Sequence, residues 1–411
     1  MTDQTLVVVG GCGHVGLPLG IILAARTKAT VYLLDIDQQK VAQVNRGEMP
    51  FLEKGVDVLL REVIGKKAFA TTSPDCLRNA DVAITVVGTP VDKHLNPTVN
   101  ALKANVDDIL EYLPDDSLLM LRSTLYPGVS KVIYDRIKQL GRDIHLAFCP
   151  ERIAEGKALE ELEHLPQIIS AFESVALERA RALFSQITRT IIELSPLEAE
   201  LAKLFTNAWR YLNFAISNEF YMLAETFGLD FYKIHHAVTH EYPRMKSFAT
   251  AGFAAGPCLL KDTLQLSVFA NNNFFLGHSA MLVNEGLPNF IVQKLQQTIS
   301  LADKTVAILG MSFKAESDDA RESLSFKLKN LFELYSKRVL CTDPYVSDPS
   351  FVPCSVALDA ADIVVLATPH KEYRQLSFND NQTVVDCWGF FNPGSSAQQS
   401  SANHNVLELI R

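Results

Sequence analysis

One cysteine in this sequence stands where a thiol could do chemistry. Cys258 follows Gly256-Pro257 and precedes Leu259-Leu260-Lys261-Asp262. A Gly-Pro turn leading into a helix puts the sulfur on a loop at the helix N-terminus, where the thiolate is favoured. Lone cysteines are more often inert core residues, and the other six (Cys12, Cys76, Cys149, Cys341, Cys354 and Cys387) take that reading. Upstream, Lys203 and Asn207 lie four residues apart in a helical pattern and so share a face. Leu201, Ala202, Leu204 and Phe205 surround the lysine. A lysine so placed can be desolvated towards acid–base use, or can hold an oxyanion as a cation. The plainer alternative is a lysine at the edge of an apolar stripe with its head in water.

A second group could hold a cofactor. Gly11-Cys12-Gly13-His14-Val15-Gly16 fits G-x-G-x-x-G, follows a strand-like run and opens a helical one. Glycines there let the backbone approach a pyrophosphate, whose charge the helix N-terminus stabilises. Asp35 closes the next strand, where its carboxylate can accept from an adenosine ribose and repel a 2′-phosphate. The pattern therefore predicts NAD rather than NADP. A glycine turn made only for strand–helix packing is the alternative.

Three strand-like runs near the start, Leu6–Val9, Val31–Leu34 and Asp81–Val87, end in glycine, aspartate and Gly-Thr-Pro. Three near the end, Val306–Leu309, Val339–Thr342 and Asp362–Ala367, end at Gly310, Asp343 and Thr368-Pro369. Short β-branched runs alternating with helices indicate parallel strands covered on both faces. The repeated order predicts an α/β fold with two Rossmann-like, doubly wound domains. The second lacks the glycine fingerprint, since Gly310-Met311-Ser312-Phe313-Lys314 has one glycine, so a different ligand is expected there. Between them a helical pattern runs from Pro196 to Leu229, with Gly228 as its stop and apolar Leu201, Leu204, Phe205, Ala208, Leu212, Ala215 and Phe220 at helical steps. It would join the halves and offer a homodimer face. The expected domains are 1–195, 196–300 and 301–411.

Bulk properties agree with an enzyme of this build. At 411 residues and 48% hydrophobic content the chain suits a soluble protein of two or three domains. A net charge of −9 argues against nucleic acid or an anionic membrane as partner. Seven scattered cysteines without a CxxC pair fit a reducing cytoplasm. The uncharged stretch Leu6–Ala25 is broken by five glycines and Pro18 and is read as strand, turn and helix rather than a membrane segment.

Along almost its whole length the chain resembles the UDP-glucose/GDP-mannose dehydrogenase family. The matching pieces are GGCGHVGLPLG, VVGTPVD, LRSTLYPG, CPERIAEG, ELAKLFTNAWR, AAGPCLLKD, GMSFKAESDDARES and TDPY, in the family's order. The resemblance implies a four-electron, NAD-dependent oxidation of a UDP-sugar at C6, through a thiohemiacetal and a thioester on Cys258. It implies that Lys203 and Asn207 stabilise oxyanion character, that Asp262 positions water and lysine, and that Thr124 and Glu151 support proton transfer. Gly11, Gly13, His14, Val15, Gly16, Asp35, Thr89, Ser123, Thr124, Glu155 and Arg321 would then contact NAD. Arg152, Ile153, Ala154, Gly256 and Lys314 would contact the sugar nucleotide with Lys203 and Asn207, and Arg244 would reach a neighbouring subunit's substrate. For Lys314 and Arg321, a solvated loop is the simple alternative.

Details of the motifs divide over the sugar. Ala255-Gly256 replaces the two glycines usual in members acting on UDP-glucose, and Glu151-Arg152-Ile153 is closer to members acting on UDP-N-acetylhexosamines. Lys261-Asp262 is the glucose-type ending. The expectation leans to a UDP-hexose, with UDP-N-acetylmannosamine or UDP-N-acetylglucosamine as alternatives. Competing functions are a two-electron hydroxy-acid dehydrogenase, with no need for Cys258, and a catalytically silent NAD-binding protein. His235, His236 and His240 are read as a surface or interface cluster, not metal ligands, because no carboxylate or cysteine completes a set.

Overall fold

The computed structural model describes residues 4–88 and 99–391. By compactness the chain divides into two units, Met1–Thr206 and Asn207–Arg411. The first unit holds an eight-stranded sheet made of β1 (Thr5–Val9), β2 (Thr30–Leu34), β3 (Ala68–Thr71), β4 (Val82–Thr85), β5 (Leu118–Leu121), β6 (His145–Phe148), β7 (Gln167–Ala171) and β8 (Ile191–Glu193). The strand order is β3-β2-β1-β4-β5-β6-β7-β8. Every pairing is parallel except β6 with β7, which is antiparallel. Successive residues of β1 serve opposite faces: Leu6 and Val8 join one buried cluster, Val7 and Val9 another. That alternation explains why the run is apolar throughout.

The second unit carries a smaller parallel sheet of β9 (Thr305–Leu309), β10 (Arg338–Thr342), β11 (Ile363–Leu366) and β12 (Thr383–Val385), in the order β10-β9-β11-β12. Its β9 divides in the same way, with Val306 and Ile308 on one face and Ala307 and Leu309 on the other. The fold class is thus the α/β architecture with two parallel sheets and a long central helix.

That helix runs Pro196–Thr226. Proline occupies its first turn, and Glu198 reaches back to the N–H and hydroxyl of Ser195 at 2.8 and 2.7 Å, closing the N-terminus. At the other end Gly228 has φ +66°, its N–H donates to Glu225 O, and Leu229 N–H donates to Ala224 O at 2.9 Å. This is a glycine-terminated Schellman closure, which only a residue tolerant of positive φ makes without strain. The apolar positions of the helix separate into two faces. Leu204, Ala208 and Ala215 are buried, whereas Phe205, Trp209, Ile216, Phe220, Leu223 and the adjacent Phe227 are exposed in the single chain. Among the described residues, no helix is long and apolar enough to cross a membrane.

Candidate active site

In the first unit the glycine loop joins β1 to the helix Gly16–Arg26. Gly10 turns with φ +82°, Gly11 N–H donates to Leu34 O at 3.0 Å, and Gly13 N–H donates to Gly10 O at 3.3 Å. A Cβ on Gly11 would stand 2.6 Å from Leu33 Cα, and one on Gly16 would stand 2.2 Å from Gly10 O. Both glycines are therefore required by the protein's own packing. Gly13 differs: its nearest neighbour would be Gly10 O at 3.5 Å, an ordinary contact, so the protein itself does not demand a glycine there. Val15 precedes the helix, and its own side chain makes no capping hydrogen bond, which suits an anion site. His14 packs on Phe51 with centroids 4.0 Å apart. Asp35 is half-buried and accepts from Cys12 N at 3.0 Å and Asp37 N at 3.1 Å, which leaves lone pairs for hydroxyl donors. A loop of this kind suits the pyrophosphate and adenosine ribose of NAD. Thr89 lies outside the described residues.

Ser123 and Thr124 follow β5; the Ser123 hydroxyl donates to Val87 O at 2.5 Å, and Thr124 is half-buried. Just before them, Arg122 is fully buried against the Phe184 ring, with its carbon 4.7 Å from the centroid. It pairs with Glu151 and reaches Gln167 at 3.2 Å. The other Glu151 oxygen accepts from Arg152 N at 2.7 Å and Ile153 N at 3.0 Å. Burial pushes the Glu151 carboxyl up, but Arg122 and the two N–H donors outweigh it and hold the group below its ordinary value. So held, the Glu151 side chain ties the loop to Arg122 and to the Arg152 and Ile153 backbone. The same loop is fastened at Ala154 N–H by Glu161 at 2.6 Å, and at Gly156 and Ala158 N–H by Glu53 at 2.7 and 2.9 Å. The N–H groups of Arg152, Ile153 and Ala154 thus bond within the protein. The Arg152 guanidinium bonds Pro166 O, and Glu155 is half-buried.

Lys203 is half-buried on the long helix, one turn before Asn207. One turn before Lys203, the fully buried Glu200 accepts from Gly128 N and Ser130 N at 2.6 and 2.8 Å. It caps the helix Val129–Gln139 that follows the Ser123-Thr124 loop.

In the second unit Cys258 immediately precedes the helix Leu259–Phe269, and its carbonyl accepts from Asp262 N–H at 2.9 Å. Among the described residues it is the one exposed cysteine of seven, none of them in a disulfide. Desolvation pushes the buried Cys12 and Cys149 thiols up to about 12, consistent with inert core roles. Asp262 is fully buried: its Oδ2 accepts from Asn207 Nδ2 at 2.5 Å, and its Oδ1 lies 2.9 Å from Lys261 Nζ. The structure therefore brings Asn207, Asp262 and Lys261 together at the first turn of the helix that Cys258 begins. Gly256 has φ +100°, and a Cβ there would stand 2.6 Å from the Phe313 ring. Lys314 Nζ lies 5.4 Å from the same ring's centroid. The 312–322 loop thus packs beside the cysteine loop, and Gly256 N–H donates to Glu322 O at 3.2 Å. Arg321 forks onto Asp319, with Nε 2.9 Å from each oxygen. Arg244 is exposed, stacking over Tyr242 at 4.6 Å and donating to its hydroxyl at 2.7 Å.

Sequence reasoning missed Arg122, Glu53 and Glu200, and also Asn218, whose Nδ2 donates to Asn284 Oδ1 at 2.9 Å. An arginine ending the apolar run LLMLR was the available signal for the first. His235 stacks on Phe248 with centroids 4.8 Å apart, and His236 neighbours His240 at 5.0 Å.

A doubly wound sheet with a glycine fingerprint and an aspartate closing its second strand, followed by a smaller parallel sheet without that fingerprint, is the build of a dinucleotide-dependent enzyme with a second α/β domain. The chain belongs to the UDP-glucose/GDP-mannose dehydrogenase family. It matches that family's NAD-binding domain over residues 5–188, its central domain over 197–285 and its UDP-binding domain over 307–393. It is 29% identical to the UDP-N-acetyl-D-mannosamine dehydrogenase of Pyrococcus horikoshii, covering 90% of this chain and 91% of that one. It is 27% identical to the NDP-N-acetyl-D-galactosaminuronic acid dehydrogenase of Ralstonia nicotianae, covering 95% and 97%. The fold is shared with the structure of a UDP-glucose dehydrogenase from Pyrobaculum islandicum, with TM-score 0.87, 24% identity and coverage of 95% and 96%.

Proposed function

We propose that this protein oxidises the C6 hydroxyl of a UDP-sugar to a carboxylate in two successive two-electron steps. The observation carrying this reading is the exposed Cys258 at a helix start whose first turn buries Asp262 against Asn207 and Lys261. A two-electron dehydrogenase needs no thiol there. NAD⁺, when bound against Gly11, Gly13 and Gly16 with its ribose on Asp35, supplies the hydride acceptor for each oxidation. After the first step the Cys258 sulfur adds to the C6 aldehyde, and the oxygen takes up a proton to give a thiohemiacetal. The second oxidation removes hydride from C6 and the hydroxyl proton, leaving a thioester. Water then adds, the carbon–sulfur bond breaks, and the thiol is restored as the carboxylate leaves. Lys203 and Asn207 stabilise the negative charge on the C6 oxygen in the tetrahedral species. Asp262 fixes the Asn207 amide, and Thr124 assists proton transfer. Glu151, through Arg122, serves to hold the substrate-side loop.

We read the sugar as a UDP-N-acetylhexosamine, supported by the names of the relatives that align along nearly the whole chain. UDP-glucose is the second reading, favoured by Lys261-Asp262. Lys314 and Arg152–Ala154 would contact the substrate, and Arg321 would exchange Asp319 for an NAD phosphate. The exposed apolar stripe Phe205–Phe227 supports a homodimer in which Arg244 serves the neighbouring site. Thiols throughout, with no disulfide among the described residues, support a cytoplasmic setting.

The test is NADH formed per sugar consumed across UDP-N-acetylmannosamine, UDP-N-acetylglucosamine, UDP-glucose and GDP-mannose. Two NADH with one of them, and loss of acid formation in Cys258→Ser, is the expected result. One NADH per substrate, or full acid formation by Cys258→Ser, sinks the thioester scheme.

A further inference from the structure

The segment that delivers Cys258, residues 248–258, has no regular secondary structure, so something other than a backbone ladder must fix it. Asn218, fully buried on the long helix, does much of this. Its Oδ1 accepts from Gly252 N at 2.8 Å, and its Nδ2 donates to Gly252 O at 3.0 Å. One side-chain amide therefore pairs with both polar groups of one residue, much as an adjacent strand would. The second Nδ2 hydrogen goes to Asn284 Oδ1 at 2.9 Å, and Asn284 donates on to Tyr211 O at 3.0 Å. Neighbouring Ser217 donates to Ala249 O at 2.7 Å. Gly252 itself has φ +146° and lies so close to Trp388 that a Cβ would stand 2.2 Å from its ring. The peptide is held by hydrogen bonds on one side and a ring on the other, six residues before the thiol.

We propose that Asn218 is a positioning residue for Cys258, setting where the thiol stands for the second oxidation while touching neither substrate nor cofactor. The inference rests on the reading of Cys258 as nucleophile. Asn218 has no role in the first oxidation, which needs no thiol. Loosening the clamp should therefore uncouple the two steps rather than slow both.

Asn218→Asp keeps size and the acceptor for Gly252 N, but faces an oxygen against Gly252 O and Asn284 Oδ1. The expected result is a change of about fivefold or more in the alkylation rate at Cys258 by iodoacetamide, followed by mass spectrometry of its peptide. With UDP-N-acetylmannosamine, or whichever sugar the unsubstituted enzyme turns over, NADH per sugar should fall from two towards one. Free aldehyde should become trappable with hydroxylamine, while the KM for NAD⁺ stays put. A one-ångström error in a reacting group is worth about a hundredfold in rate, so even a small displacement is readable. If Asn218→Asp does not fold, Asn218→Ser, which retains one donor and acceptor, carries the same readouts. A folded variant with ordinary NAD⁺ affinity, unchanged alkylation and two NADH per sugar overturns the proposal. Failure of the nucleophile reading looks different: Cys258→Ser would then make acid, whereas the alkylation rate still reports on the clamp.

Discussion

The two parallel sheets open with the same backbone device. Thr5 N–H donates to Asp81 at 2.7 Å, and Thr305 N–H donates to Asp362 at 2.8 Å. Gly10 and Gly310 turn with φ +82° and +90°, their N–H groups 2.9 Å from Leu34 O and Thr342 O. An aspartate after the second strand then accepts from the glycine loop: Asp35 from Cys12, Asp343 from Met311 and Ser312. There the likeness stops. Asp35 accepts two backbone N–H groups. Asp343 accepts four, adding Tyr345 and Val346 at 2.8 Å each, and pairs at 3.2 Å with His370, which is fully buried. The first carboxylate keeps acceptor capacity that the proposed NAD ribose would use; the second spends its capacity within its own domain. On that reading, one strand–loop–strand geometry serves as receptor or scaffold according to who occupies the carboxylate.

The strongest way to break this contrast is to remove each carboxylate in turn. Asp343→Ala strands four backbone donors and a buried histidine. It should cost about 3–5 kcal/mol of stability, the usual toll for breaking a buried, bonded pair. Urea unfolding followed by the fluorescence of Trp209 and Trp388 measures it, with NAD⁺ affinity of any folded fraction unchanged. The contrast fails if NAD⁺ affinity collapses instead while stability holds. Acid should probe the same group. Burial pushes Asp343 up, yet His370 and the backbone donors win and bring it from 3.8 down to about 2. A depressed carboxyl contributes stability that is fully present above its unfolded value and is lost as pH falls through the folded one. The second unit should accordingly weaken between about pH 4 and pH 2, as seen in urea midpoints measured across that window.

A subtler break concerns Gly13. Its Cβ would touch only Gly10 O at 3.5 Å, so Gly13→Ala should leave the melting temperature nearly unchanged. In the proposed NAD site the added methyl would nonetheless occupy the approach of the pyrophosphate. NAD⁺ affinity should fall on the order of 30-fold, equivalent to about 2 kcal/mol, by titration calorimetry. An unaltered affinity would mean that the loop is glycine-rich for packing alone.

How far the sequence disclosed this arrangement follows from the range over which each residue acts. The glycine fingerprint, Asp35 and the Gly228 stop were legible because each answers a local backbone need. Cys258 stood out by its turn and its neighbours, while most of its partners' roles came through family resemblance. Arg122 and Glu151 are 29 residues apart and meet only because β5 and β6 are adjacent. Asn218 reads as an ordinary polar helix residue until the 248–258 segment folds onto it. The long helix misled differently: counting apolar steps merged buried Leu204 and Ala208 with exposed Phe205 and Phe220, which serve separate faces. Periodicity finds a helix, but one stripe and two adjoining stripes give similar counts.

The smallest effect should come from Asp35→Asn, and it sharpens the contrast most cleanly. The amide oxygen can still accept from Cys12 N–H, but Asp37 N–H then faces the NH2 group and loses its acceptor, so stability should fall by about 1 kcal/mol. What disappears is the charge. A ribose hydroxyl loses a charged acceptor, which is worth about 1 kcal/mol more than a neutral one, so NAD⁺ affinity should fall roughly five- to tenfold. Repulsion of a 2′-phosphate disappears at the same time, so NADP⁺ should bind better and the preference should narrow from both sides. The matching Asp343→Asn exchange should do the reverse, weakening the fold through His370 and leaving cofactor preference alone. Paired calorimetric titrations of both variants with NAD⁺ and NADP⁺ decide the matter. If Asp343→Asn shifts the preference as much as Asp35→Asn, the two carboxylates are not divided between ligand and scaffold.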